Sequence, residues 1–276
     1  MELSSYQKTR GATPEKADGI KLMLCGPTPG KGDKPLWHWY RKTIDAVARR
    51  GTTIDLVDLK RGYLEPTTPY TSAYNSIAIT ERAYEAEKKG YDAFMIGCAF
   101  DPGLKESRAL LNIPVVAPAE SAVVLASTLG NRYSIITVDS SWCPVIENIV
   151  QNYGLRAKLA SVRYPSGLTK AMAFEMMLGK EQDKFVDLMT QEMTRAIKED
   201  GAEVLIAGCT VAATVLTMKG VYKVDGAPIV DVIAAEVKMA EIMVDLKRAY
   251  GIGVCKASIY YPPPAGWEKD IPIIID

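Results

Sequence analysis

AFMIGCAFDPG, residues 93–103, is a short apolar run that ends in Gly97-Cys98 and meets Asp101-Pro102-Gly103 a few residues later. Four or five apolar residues bounded by turn chemistry read as a strand covered on both faces, with a helix about to begin. The pattern returns at VLIAGCTVAAT, residues 204–214, around Gly208-Cys209. Each of the two runs places a thiol where a strand stops.

Working outward, apolar β-branched runs alternate with amphipathic stretches along the chain. Strands are expected at 21–25, 53–59, 93–97, 114–117, 133–138, 157–163, 204–208 and 228–232. Helices are expected at 37–50, 75–89, 104–111, 119–129, 143–153, 170–180, 182–200, 211–218 and 234–250. Strand-helix-strand alternation implies parallel sheet with helices on both faces. The order also repeats. Each half reads strand, helix, strand, helix, strand ending in Gly-Cys, short helix, then a Pro-Val-Val or Pro-Ile-Val strand (114–116 and 228–230). Two coincidences in register argue for a duplication. The fold expected is α/β: two similar open parallel-sheet lobes related by a pseudo-two-fold, with the active site in the cleft between them. The expected division is a polar arm at 1–19, a first lobe at 20–127, a second at 128–233, a helix at 234–250 that crosses back onto the first lobe, and a proline-rich extension at 251–276.

Composition excludes several classes of function. Thirty-three basic residues balance 33 acidic ones, so neither nucleic acid nor an anionic membrane is an expected partner. No apolar run approaches a membrane span, and the polar N-terminal stretch is no secretory signal. The five cysteines are odd in number and scattered, which disfavours a disulfide framework or a metal cluster and makes the cytosol, with reduced thiols, the expected compartment. The single histidine, His38, leaves little for chemistry built on imidazole bases.

Ligands of open parallel sheets bind beyond the carboxyl ends of the strands. Cys98 and Cys209 both sit there, one per lobe, and across a pseudo-two-fold they approach one cleft from opposite walls. A helix N-terminus stabilises a thiolate and lowers its pKa. Asp101-Pro102 reads as an N-cap with proline at the first helical position, and Thr210 opens or caps the helix after Cys209. One thiolate would take a proton from one face of a carbon acid, and the opposite thiol would return one to the other face. Backbone N–H groups would hold the enolate between them. Either cysteine alone would more often be a small core hydrophobe; the matched pair is what favours chemistry. Cys25, Cys143 and Cys255 lack such a partner and read as core or pocket wall.

These residues resemble a known family. GYDAFMIGCAFDPGL (residues 90–104) followed by RALLNIPVVAPAESA (108–122) is similar to hydantoin racemases of the aspartate/glutamate racemase superfamily, and GAEVLIAGCT (201–210) with APIVDVIAA (227–235) resembles that superfamily's second half. The resemblance spans about residues 20 to 250. It implies a cofactor-independent racemase or epimerase that inverts a stereocentre beside a carbonyl, in a hydantoin or an amino-acid derivative, with Cys98 and Cys209 as the two bases and no metal. Asp101, Pro102 and Gly103 match the motif after the first cysteine, and Glu120 matches the family's glutamate at the strand-to-helix junction. Pro27, Thr28, Ala99, Phe100, Thr210, Val211 and Glu120 are the expected substrate contacts. The chain departs from the family in its first loop, where CGPTPG (25–30) replaces an Asn-Pro-Asn-Thr type, and after the second cysteine, where Thr210-Val211 replaces the usual glycine. Cys-Thr also occurs in amino-acid racemases, maleate isomerases and arylmalonate decarboxylases. A cysteine-dependent decarboxylase or cis-trans isomerase, and a binding protein without turnover, therefore stand as alternatives.

Other stretches carry weaker signals. KPLWHWYRK (34–42) offers an aromatic wall at the cleft mouth, with His38 as a hydrogen-bond donor, or plain packing, which buried aromatics more often provide. RGYLEPTTPYTSAYN (61–75) reads as a long loop whose Tyr63, Tyr70 and Tyr74 reach the cleft or the surface. Gly26, Gly30 and Gly32 match no phosphate-loop pattern. The apolar end, DIPIIID (270–276), is expected to pack on the same subunit or a neighbour, which favours a homo-oligomer.

Overall fold

Ile20–Pro29 (β1) shows how the first sheet is made. Leu22 and Leu24 face one side and Met23 and Cys25 the other, and all four are buried. A strand buried on both faces needs helices above and below, which is why its residues are apolar at both parities. The computed structural model describes residues 19–30 and 35–269. All of the expected N-terminal arm but Gly19, together with Gly32 and the DIPIIID end, lies outside the described residues.

The first half runs β1, α1 (Pro35–Val47), β2 (Thr52–Leu59), α2 (Pro69–Lys88), β3 (Ala93–Ile96), α3 (Leu104–Leu110), β4 (Val115–Val116) and α4 (Pro118–Leu129). The second runs β5 (Tyr133–Ile136), α5 (Cys143–Asn152), β6 (Leu159–Arg163), α6 (Lys170–Leu178), α7 (Gln182–Asp200), β7 (Val204–Ala207), α8 (Thr210–Met218), β8 (Lys223–Val224), β9 (Ala227–Val230) and α9 (Val232–Tyr250). The sheets are ordered β2-β1-β3-β4 and β6-β5-β7-β9-β8. Apart from β8, which pairs antiparallel at the edge, every ladder among the described residues is parallel. The orders coincide when β5, β6, β7 and β9 are matched to β1, β2, β3 and β4, so the duplication read from the sequence is present in the topology.

Two elements differ from expectation for local reasons. α2 starts at Pro69 rather than 75, because the Thr68 side chain accepts the Thr71 N–H and Pro69 occupies the first turn. Tyr70 and Tyr74 are therefore helical. The small strand β8 turns into β9 through Asp225-Gly226, both at positive φ (47° and 89°), as a two-residue hairpin of the Asp-Gly kind requires.

The lobes are joined by an exchange of helices. α9 leaves the second sheet and packs on β3, β4 and α1 of the first, while α4 leaves the first and packs on β5, β7 and β9 of the second; the two helices also pack on each other. Their apolar faces merge both lobes into one core. Polar ties run the same way. Glu241 accepts the Arg49 N–H (2.9 Å) and the Thr52 hydroxyl (2.8 Å), Arg49 pairs with Asp245, and Arg248 pairs with Asp92 (2.8 Å). The cleft thus lies between lobes held in fixed relation by their own helices. Among the described residues no helix is long and apolar enough to cross a membrane.

Candidate active site

The glycine before each thiol permits close packing. Gly97 N–H donates to the Cys25 carbonyl and Gly208 N–H to the Ile136 carbonyl, both at 2.8 Å. A Cβ on Gly97 would stand 3.0 Å from the Cys25 carbonyl oxygen, and one on Gly208 2.7 Å from the Ile135 Cγ2. Only glycine lets the chain cross the neighbouring strand this closely, and the crossing carries each cysteine out over its sheet.

Beyond the two thiols the chain takes different paths. Cys209 is the N-cap residue of α8, and its sulfur faces the N–H groups of Val211 and Ala212. After Cys98 the chain makes a turn first. Asp101 is left-handed (φ 49°), and α3 begins only at Leu104 with Gly103 (φ 76°) as its cap. This corrects the expectation that Asp101 caps its own following helix. Its carboxylate turns instead to α4, accepting Ala119 N–H (2.9 Å), Glu120 N–H (2.8 Å) and the Tyr153 hydroxyl (2.5 Å).

Both thiols open onto one cavity of about 510 Å³, a size that holds a small organic ligand. Pro27, Thr28, Ala99, Phe100, Thr210 and Val211 line it with them. Glu120 does not. It is gripped by Arg108 through both guanidinium nitrogens, one at 2.7 Å, and its partner and position at the start of α4 hold it away from the cavity wall. Within WHWY only Trp37 and Tyr40 line the cavity, one helical turn apart, while His38 is exposed; the hydrogen-bonding role considered for His38 has no place there. Tyr63 meets Tyr70 and Tyr74 edge-on, all three outside the lining.

The lining is mostly apolar. Phe100 from the first half meets the edge of Trp142 from the second at 5.1 Å between ring centroids, and Leu36, Leu64 and Phe174 add to the wall. At the rim, Lys170 of α6 reaches across to Glu65 at 2.6 Å, so an ion pair between the lobes spans the mouth.

Burial governs the electrostatics. It pushes the Cys98 thiol up to about 12, partly offset by the Phe100 N–H and reinforced by the negative charge of Cys209 and Asp101. Cys209 is also raised by burial, against the pull of two backbone N–H groups. The lowered thiol pKa expected from helix N-termini is therefore reversed, because desolvation outweighs the helix field. The opposition between the two sulfurs has a chemical use: ionising one disfavours ionising the other, so the two do not become thiolates together. Among the described residues no three His, Cys, Asp or Glu side chains gather to hold a metal ion.

The family model described as Asp/Glu/Hydantoin racemase matches residues 39–240, which include both thiols and most of both lobes. The chain belongs to the Asp/Glu/hydantoin racemase family. Hydantoin racemase from Pseudomonas sp. (strain NS671) is 34% identical to it over 74% of this chain and 78% of that one. Among solved structures, allantoin racemase from Pseudomonas fluorescens superposes with a TM-score of 0.75 at 26% identity, covering 88% of this chain and 97% of that one. The fold of allantoin racemase from Klebsiella pneumoniae matches with a TM-score of 0.77 at 23% identity, over 89% and 94%. The protein is accordingly an isomerase of the racemase type.

Several residues in or behind this racemase's cavity escape sequence reading. Asn75 is fully buried in α2 and ties the end of β1 to the loop after β2, donating to the Pro27 carbonyl (2.8 Å) and the Tyr63 carbonyl (2.9 Å) while accepting the Tyr63 N–H (2.8 Å). Trp142, Phe174 and Lys170 come from the second half and follow no motif. The one available signal was the i, i+3 spacing of Trp37 and Tyr40, which puts both on one face of α1.

Proposed function

We propose that Cys98 and Cys209 are the two bases of a racemase that inverts a carbon-acid stereocentre beside a carbonyl, in a hydantoin-type ring with an apolar substituent. The reading rests on one observation above all: two thiols, at matched positions of duplicated halves, open onto the same cavity. One thiolate removes the proton of the ring carbon, and its electron pair moves into the adjacent carbonyl to form an enolate. The opposite thiol then delivers its own proton to the other face, leaving a thiolate there and a thiol where the first base stood. The two swap roles for the reverse direction. The apolar wall of Phe100, Trp142 and Phe174 suits an arylmethyl or branched alkyl substituent.

A decarboxylase with a single essential cysteine would need only one of the sulfurs; the matched pair favours the two-base reaction. Racemisation of single enantiomers of 5-benzyl- and 5-methylhydantoin in deuterium oxide tests the reading. The expected result is loss of optical rotation with one deuterium incorporated. Cys98→Ser and Cys209→Ser should each abolish racemisation. Full activity in either variant would overturn the two-base assignment. No exchange by the wild-type chain on hydantoins, amino acids or small diacids would overturn the reaction itself.

A further inference from the structure

Among the described residues Tyr40 is the one phenol in the cavity wall, and it stands on α1 where that helix packs against both α8 and α9. α8 carries Cys209 at its start, and α9 carries Glu236, whose carboxyl accepts the Ile96 N–H at 2.8 Å two residues before Cys98. The phenol therefore lies where the two lobes' active strand ends converge. Its ring is 2% exposed and is fixed by the edge of Trp37, 5.4 Å away between centroids. The groups that act on its hydroxyl are the Thr210 side chain and three acids: Cys209, Cys98 and Glu236. The other charged groups described on the cavity wall, Glu65 and Lys170, are paired with each other at the rim.

A neutral O–H held among two thiols and a buried carboxyl has one electrostatic use. It can donate to whichever negative charge forms in that space, and burial first, with the acids around it, keeps it from ionising, so that it remains a donor. From this placement we propose that Tyr40 is a catalytic hydrogen-bond donor: its hydroxyl binds the substrate carbonyl oxygen that becomes the enolate, and stabilises whichever of the two thiols ionises. Thr210, at the N-terminus of α8, orients the phenol. The reaction needs such a donor. Both bases lie at the ring carbon, and the charge they create appears on the oxygen beside it. The substrate half of the proposal rests on the racemase reading above; the thiolate half does not.

Tyr40→Phe removes the hydroxyl and keeps the ring. On a substrate that the wild type racemises, kcat is expected to fall about 100-fold, as for the loss of one oxyanion donor, with KM changed by less than about threefold. In the absence of substrate, the pH midpoint for iodoacetamide alkylation of Cys98 and Cys209, followed by mass spectrometry, should rise by about one unit. His38→Gln, on the exposed face of the same helix, should change neither. If Tyr40→Phe does not fold, 3-fluorotyrosine at position 40 keeps the side chain and makes the donor more acidic; the alkylation midpoint should then move down. A kcat within about threefold of wild type, or an alkylation midpoint that does not move, overturns the proposal. A wild type that racemises none of the substrates, together with a shifted midpoint in Tyr40→Phe, would sink the reaction assignment and leave the donor role supported.

Discussion

Asp101 and Asp231 hold the same two amides in the two halves of the molecule. Asp231 is the N-cap residue of α9 and accepts Ile233 N–H (2.8 Å) and Ala234 N–H (3.1 Å). The matching amides of α4 are those of Ala119 and Glu120, but α4 has Ala117 at its cap position. Asp101 supplies the missing carboxylate from the loop after Cys98. A hydroxyl completes each cap, Thr217 on Asp231 and Tyr153 on Asp101, both at 2.5 Å. The cap of α4 thereby ties the Cys98 loop to a helix that belongs to the other lobe's core.

Asp101→Ala should destabilise the protein by roughly 2–4 kcal/mol, since it removes a cap and a buried hydrogen bond and leaves alanine at positive φ. Asp101→Asn, which tolerates that backbone and keeps one acceptor, should lose less than half as much. Asp231→Ala should cost about 1–2 kcal/mol. Urea denaturation of the three variants tests the order, and an Asp101→Ala variant as stable as wild type would rule out the shared cap.

Gly208→Ala forces a methyl to within 2.7 Å of Ile135, so a loss of roughly 1–3 kcal/mol is expected from overpacking. The strand end must shift to relieve the clash and carries Cys209 with it. Racemase activity should accordingly fall by more than tenfold under conditions where circular dichroism shows the chain fully folded. Activity that merely tracks the folded fraction would show that the glycine serves packing alone.

Glu236 is fully buried, and its second carboxyl oxygen has no partner among the described residues. Burial and the nearby Asp101 raise its pKa well above the ordinary carboxyl value. The folded state thus keeps a proton that the unfolded chain releases above about pH 4.3. Over the interval from there to the raised folded value, stability falls as pH rises. Glu236→Gln keeps an acceptor for the Ile96 N–H and cannot ionise. Its stability relative to wild type should be near parity at pH 4 and grow toward pH 8, as read from denaturation midpoints across that range. A constant difference would place the ionisation elsewhere.

The Glu65–Lys170 pair spans the cavity mouth with both side chains about a third exposed or more. Exposed pairs contribute less than about 1 kcal/mol to stability, so Lys170→Met should leave the melting midpoint almost unchanged. Substrate retention should suffer more, with KM rising about three- to tenfold and the wild-type value salt-sensitive. Equal KM values for variant and wild type at low and high salt would remove the pair from substrate retention.

Much of this architecture is written in short-range pattern. The continuous apolar run of β1, the apolar runs ending in Gly97-Cys98 and Gly208-Cys209, and the repeated order of elements specify parallel sheets, their duplication and the strand ends at which thiols emerge, because each depends on neighbours a few positions away. Distant partners are not encoded that way. Asp101 looked like the cap of its own helix and caps α4 instead; Glu120 looked like a ligand for substrate and pairs with Arg108; α4 packs on the second sheet; and the thiols are raised rather than lowered. Each of these turns on what packs against a side chain from far along the chain and on how much water that packing removes. Such quantities exist only once the two halves are packed into one core.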